Sequence, residues 1–142
     1  MKFLTRFGIV ILAATLVSAC APRDTTHYLS IRDALNSKGA AEAIDPKIKL
    51  YFGKPAGGKV LKANLTSIKS TNAFNKSDVE ACNWAFLSAI KSFQERAVKE
   101  GGSKVSNLVS YHKKNVYKSA DKFECHAGHS NARVTLRGDI VR

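Results

Sequence analysis

Three cysteines and four histidines hold most of the chemistry open to this chain of 142 residues. Cys125 and His126 are adjacent, His129 follows three positions later and His112 precedes them, so donors suited to a zinc-type ion lie close in sequence. Two facts weigh against a metal centre. A strand through this segment turns Cys125 inward and His126 outward, and an oxidised cysteine offers no thiolate. The reading that follows is a disulfide half beside exposed histidines. Cys125, His126 and His129 form a metal set only in the alternative.

Gly53, Lys54, Pro55, Ala56, Gly57, Gly58, Lys59 and Val60 come within one residue of the phosphate loop G-x-x-x-x-G-K-[ST]. Val60 occupies the place of the magnesium-binding hydroxyl, and Pro55 removes a backbone donor that would cradle phosphate. The next segment alternates like a strand instead of opening a helix, so no nucleotide is expected. For catalysis, the chain pairs no nucleophile with a base. It offers only Asp78 and Glu80 at a helix start, where they favour the helix dipole. No catalytic residue and no cofactor are expected.

Cys20 has a different use. Lys2 and Arg6 precede an apolar run over residues 7–17, and Val17, Ser18, Ala19 and Cys20 close it with small residues. This is the arrangement of an export signal ending in a lipobox. The run is too short to stay as an anchor, since a transmembrane helix needs about 20 apolar residues. An ordinary cysteine here would do nothing that alanine would not, whereas a lipobox needs the thiol to carry diacylglycerol, with palmitate as a further acyl chain. Ala21 in place of Asp fits an outer-membrane address of the enteric type. Cleavage after Ala21, where Ala19, Cys20 and Ala21 obey the small-x-small rule, is the alternative and yields a soluble periplasmic protein. The expected organisation is a signal peptide over 1–19, a tether over 20–26 and a single periplasmic domain over 27–142.

With the signal removed, about 120 residues remain, enough for one domain that buries roughly two-thirds of its unfolded surface. Loss of Lys2 and Arg6 lowers the formal charge of +12 to about +10, which favours anionic partners such as lipid phosphates, lipopolysaccharide, nucleic acid or anionic glycans. Lys47, Lys49, Lys54, Lys59, Lys62 and Lys69 also suit scattered, solvated positions. No aromatic residues interleave with them as a single-strand binder requires, so nucleic acid is not the expected partner. Setting Cys20 aside leaves Cys82 and Cys125, an even pair in an oxidising compartment, and a disulfide between them is expected.

The elements that must position these residues follow from periodicity. Leu29, Ile31, Ala34 and Leu35 suggest a brief helix interrupted near Gly39. Ile48, Leu50 and Phe52 alternate with lysines and Tyr51 as a half-buried strand. Leu61, Ala63 and Leu65 mark a second strand over 60–68, antiparallel to the first because the connection is short. Residues 70–75 read as a polar loop. Ser77 and Glu80 make a capping box, Gly101 and Gly102 end the helix, and Val79, Cys82, Phe86, Ala89, Ile90, Phe93 and Ala97 form its buried stripe. Val105, Val109 and Tyr111 share one side of a third strand. Phe123, Cys125 and Ala127 point inward in a last strand whose inward set becomes Val134, Leu136 and Ile140. That parity change implies a bulge or turn near residues 128–131. The fold class is α+β: a small antiparallel sheet in ββαββ order, one long helix packed on one face, and one disulfide.

Leu50 to Gly53, Thr71 to Asp78, Ala81 to Leu87 and Glu124 to Gly128 resemble a family of small exported bacterial proteins that carry the name "excinuclease ATPase subunit". The resemblance covers most of the chain from about His27 onward. The ATP-driven DNA repair in that name conflicts with the short chain, the spoiled nucleotide loop and the export signal. In element order, and in pairing a helix cysteine with a strand cysteine, the chain is also similar to the globular domain of the outer-membrane Rcs stress-sensor lipoprotein and, more distantly, to YbjQ-like domains. The Rcs sensor has two disulfides and a long proline-rich tether, where this chain has cysteines for one and a short tether.

The resulting expectation is a non-enzymatic envelope lipoprotein that binds an anionic envelope component, such as lipopolysaccharide, or an envelope protein, in stress sensing or envelope maintenance. A secreted nucleic-acid-binding or metal-binding module is the alternative. Cys20→Ser should release the protein in soluble form and remove the mass of the acyl chains. A wild type that already fractionates as an unmodified soluble protein would show the lipobox reading to be wrong.

Overall fold

The structure, a computed structural model, describes residues 21–142, so the signal segment and Cys20 lie outside the described residues. The chain runs β1 (Thr25–Ser30), α1 (Ile31–Leu35), α2 (Ala40–Ala43), β2 (Lys49–Phe52), β3 (Val60–Asn72), α3 (Asp78–Glu100), β4 (Lys104–Ser110), a 3-10 turn (His112–Lys114), β5 (Lys122–Ala127) and β6 (Asn131–Val141). Six strands form one sheet. β6 pairs antiparallel with β3 from Asn131 to Val141, while its other edge is shared by β5 at Ala132 and Arg133 and by β4 from Leu136 to Val141. β1 extends the sheet beyond β5, and β2 beyond β4.

The long helix forms where its caps place it. The Ser77 hydroxyl accepts the Glu80 N–H at 3.1 Å. At the other end Gly101 takes a left-handed conformation, with its own N–H bonded to the Val98 carbonyl and that of Gly102 to the Ala97 carbonyl. This double bond pattern closes a helix on a glycine, because only a residue without Cβ turns left there at no steric cost. The buried stripe of Cys82, Phe86, Ala89, Ile90, Phe93 and Ala97 faces Phe123, Cys125 and Ala127 of β5 and Ala132, Val134, Leu136 and Ile140 of β6. Phe86 stacks on Phe123 with ring centroids 4.2 Å apart. Gly138 supplies no side chain because a Cβ there would stand 3.0 Å from Leu108 and 3.4 Å from Phe93.

Cys82 and Cys125 are bonded, with Cα atoms 5.9 Å apart and a sequence separation of 43, and both are fully buried. The bridge joins the first turns of α3 to the middle of β5. The turn at residues 128–130 accounts for the parity change: the Gly128 N–H bonds the Asn131 carbonyl, and inward positions are odd before it and even after it.

Several expectations are corrected. The sheet has six strands instead of the four of a ββαββ order, because Thr25–Ser30 forms β1 against β5 and the turn at residues 128–130 divides the expected last strand into β5 and β6. β1 starts at Thr25. β2 does not pair with β3. It lies parallel to β4, and the connection doubles back along β4, with Lys54 bonded to Asn107, Ala56 to Ser106 and Gly57 to Lys104. The loop itself makes the return journey, so β3 starts from the same end of the sheet as β2. β3 also continues to Asn72, through residues read as a loop.

Two bulges break the simple alternation. Asn64 and Asn107 have φ of 56° and 53°, and the register shifts beside each of them. Beyond Asn107 the inward set moves from Val105 to Leu108, so Val109 and Tyr111 do not share its face. Ala63 is exposed next to Asn64, and Val79 is exposed in the first turn of α3. One carboxylate holds both bulges. Asp139 of β6 accepts the Asn64 N–H at 2.7 Å and the Asn107 side-chain amide at 3.1 Å.

Cys82→Ala should cost about 4 kcal/mol through the freed loop entropy of the unfolded chain. The double variant with Cys125→Ala should be no worse than either single one. Denaturant unfolding of the oxidised wild type beside the three variants measures this, and additive losses would deny the bond its role.

Candidate functional site

Because the odd-numbered residues of β5 face α3, its even-numbered residues face the opposite side, where the 3-10 turn sets His112 against His126. Strand register sets those side chains in rows. Thr26 stands opposite His126, His126 opposite Arg133, and Arg133 opposite Ser70. In the next row Tyr28 meets Glu124, and Ile68 meets Thr135.

His126 is the most constrained side chain of this face. Its Nδ1 lies 3.2 Å from Asp24 Oδ1 and 3.4 Å from the Thr26 hydroxyl, and its Nε2 lies 3.1 Å from Glu124 Oε2. Each ring nitrogen thus lies within hydrogen-bond distance of a carboxylate. His112 stacks on it, with ring centroids 3.4 Å apart and planes 16° from parallel. Burial, and after it the nearby His126, holds the His112 pKa below the ordinary histidine value. Tyr28 donates its hydroxyl to Glu124 Oε1 at 3.2 Å, and the Glu124 charge raises the phenol's pKa.

Beside this cluster lies an open groove of about 400 Å³, whose walls include Ile68, Tyr111, His112, Lys113, Lys114 and Arg133. That volume falls in the range of small-ligand sites. Arg137 lies over the Tyr111 ring, 4.6 Å from its centroid. Lys113 and Lys114 both hold positive φ, 50° and 64°. Two successive lysines in the left-handed region cost roughly 1 kcal/mol or more each. Among the described residues, none of Lys113, Lys114 and Arg133 enters a salt bridge.

A second cluster holds the start of the described chain. Asp78 Oδ2 receives the Arg23 guanidinium and lies 2.8 Å from His27 Nε2, while Arg23 also donates to the Gly128 carbonyl at 2.8 Å. The hydrogen bonds from His27 and then Arg23 hold the Asp78 carboxyl below its usual range. Asp78 therefore does more than favour the helix dipole.

The structure separates the proposed metal donors. Cys125 is oxidised and buried on the inner face, His126 lies on the outer face, and His129 is exposed in the turn. Among the described residues no group of three or more His, Cys, Asp or Glu is placed to hold a metal ion. Residues 53–59 form the return loop after β2, where the Lys59 backbone pairs with Arg142, and Val60 opens β3. Glu80 supplies its N–H to the cap of α3, and no bond from its carboxylate to Ser77 is present among the described residues.

Sequence reading missed Asp24, Tyr111, Lys113, Lys114 and Arg133. The outward parity of His126, carried across the hairpin, points to Arg133. Nothing in the spacing brings His112 to His126. The chain matches no known family model, no curated protein and no solved structure.

The Asp78 cluster carries a pH signature. A carboxyl with a depressed folded pKa contributes stability above its unfolded value, near 3.9, and loses it as the pH falls through the folded value. Asp78→Asn should cost about 1 kcal/mol at neutral pH, since these bonds are partly exposed, and should flatten the acid limb of the stability profile. An unchanged acid limb would show that the cluster carries no stability.

Proposed function

We propose that this protein is a non-enzymatic, lipid-anchored envelope protein whose domain binds an anionic envelope component in the groove beside the stacked histidines. The observation that carries the reading is the set of Lys113, Lys114 and Arg133, three cations around one groove, none of them in a salt bridge among the described residues. Ile68, 58% exposed, gives the groove an apolar side suited to an amphiphile. The left-handed lysines support the same reading, because strained backbone is retained at sites where it holds side chains for use. Among the described residues no helix is long and apolar enough to cross a membrane, so attachment in this reading rests on Cys20. The address is the periplasmic side of the outer membrane.

A nucleic acid is the second reading, favoured by Tyr111 standing among cations. Retention of purified protein on immobilised lipopolysaccharide and on DNA, each over a salt series, separates the two. The proposal expects tighter retention on lipopolysaccharide and a loss of about tenfold or more when Lys113, Lys114 and Arg133 are all changed to Ala, with a shallower salt dependence. Stronger, steeply salt-sensitive retention on DNA would favour the second reading, and retention indifferent to the triple variant would remove the groove from either.

A further inference from the structure

The place where the chain leaves the fold says which part of the domain meets the membrane. Arg23 is tied to the Gly128 carbonyl and to Asp78, so the described chain is already fixed against the turn at residues 128–130 and the first turn of α3. Only Ala21 and Pro22, both exposed, separate Arg23 from position 20. Three Cα steps span at most about 11 Å. A diacylglycerol on Cys20 would hold this pole of the domain close to the headgroup layer, with little slack for another face to turn toward it.

The same pole carries apolar side chains that the core does not use. Phe74 is 72% exposed and Val79 49% exposed. Both flank the turn that Arg23 grips: Ala73 donates its N–H to the Ser130 carbonyl at 3.0 Å, Phe74 follows it, and Val79 sits in the first turn of α3 next to Asp78. Two hydrogen bonds tie the loop to Asn72. Phe74 donates its N–H to Asn72 Oδ1 at 2.7 Å, and Lys76 Nζ donates to the Asn72 carbonyl at 3.0 Å. His129 stands exposed in the turn and Lys76 is half-buried, Asp78 is neutralised by Arg23, and Glu80 and the exposed Asp24 are acids that this surface must keep on its water side.

We propose that this pole is a membrane-contacting surface in which Phe74, seconded by Val79, enters the headgroup layer of the bilayer that holds the anchor. The inference rests on the lipobox reading of Cys20. An exposed aromatic ring on a fixed loop gains by leaving water at an interface where its neighbours remain polar, and the two-residue tether makes the contact intramolecular in effect.

The test uses lipidated full-length protein in vesicles of phosphatidylethanolamine and phosphatidylglycerol, with or without brominated acyl chains. Phe74→Trp and, as an independent site, Val79→Trp each add a reporter at this pole. Val98→Trp places one near the far end of α3, and the wild type with Trp84 is the blank. Quenching of the added emission by half or more at position 74, weaker quenching at 79 and none beyond the blank at 98 are expected. Equal quenching at all three positions, or none at 74 and 79, would overturn the proposal. Mass spectrometry of the same preparation keeps the two ideas apart: an unmodified Cys20 overturns the lipobox reading and the proposal with it, whereas lipidated protein with an unquenched position 74 overturns the proposal alone.

Discussion

Strand β6 has no free edge over most of its length, and the positions of the other elements follow from how that is arranged. β3 runs along one side of it, while β4 and β5 meet the other side at different heights. Two strands sharing one edge must diverge, and each then offers its outer edge to a further strand, β2 or β1. Backbone groups buried in the sheet are satisfied through this branching. Asp139 lies where the arrangement is most demanding, and its carboxylate fixes a left-handed asparagine on each side of β6. The bulges re-aim β3 and β4 and increase their local twist.

On the inner side the same strand meets α3, and the disulfide pins that contact where β5 is held to β6 by only two paired residues. A short ladder of this kind would fray alone. The covalent bond to a helix lying across the sheet, together with β1 on the far edge, keeps β5 in register. That register places His126 between Asp24 and Glu124. The inner face thus provides rigidity, and the outer face can hold a strained basic turn and a stacked histidine pair without help from a second layer.

The legible parts of the sequence were those in which one local rule decides the outcome. Ser77 and Gly101 bound α3, its stripe is helical in period, and the odd parity of Phe123, Cys125 and Ala127 puts Cys125 where Cys82 can reach it. What escaped depends on partners far along the chain. Thr25–Ser30 is short and mixed in polarity, and it becomes a strand because β5 offers it an edge. The short link from β2 to β3 satisfies the usual hairpin signal, yet its backbone bonds go to β4. Val105, Val109 and Tyr111 keep the right spacing only if Asn107 is ordinary, and it adopts a conformation open to asparagine at little cost. At the candidate site, outward His126 was readable, whereas its meeting with His112 and the groove depends on how the chain returns after β4.

The groove and the chain exit lie on the same end of the sheet, which links them physically. Arg133 follows Asn131, the first residue of β6, by two positions, a rise of about 7 Å from the turn at residues 128–130. His126 is opposite Arg133, and Asp24, adjoining Arg23, is hydrogen-bonded to it. A domain resting on that turn would therefore present its basic groove at the margin of the headgroup layer, within about one Debye length of the surface at physiological salt. Anionic groups anchored in that layer would meet Arg133 first and the strained lysines next, with Ile68 beside them for an acyl or other apolar portion. A soluble polyanion would have no such advantage of position. Under the proposed attachment through Cys20, the domain would have little reach, and a ligand of the supporting membrane would match this groove better than a partner at a distance.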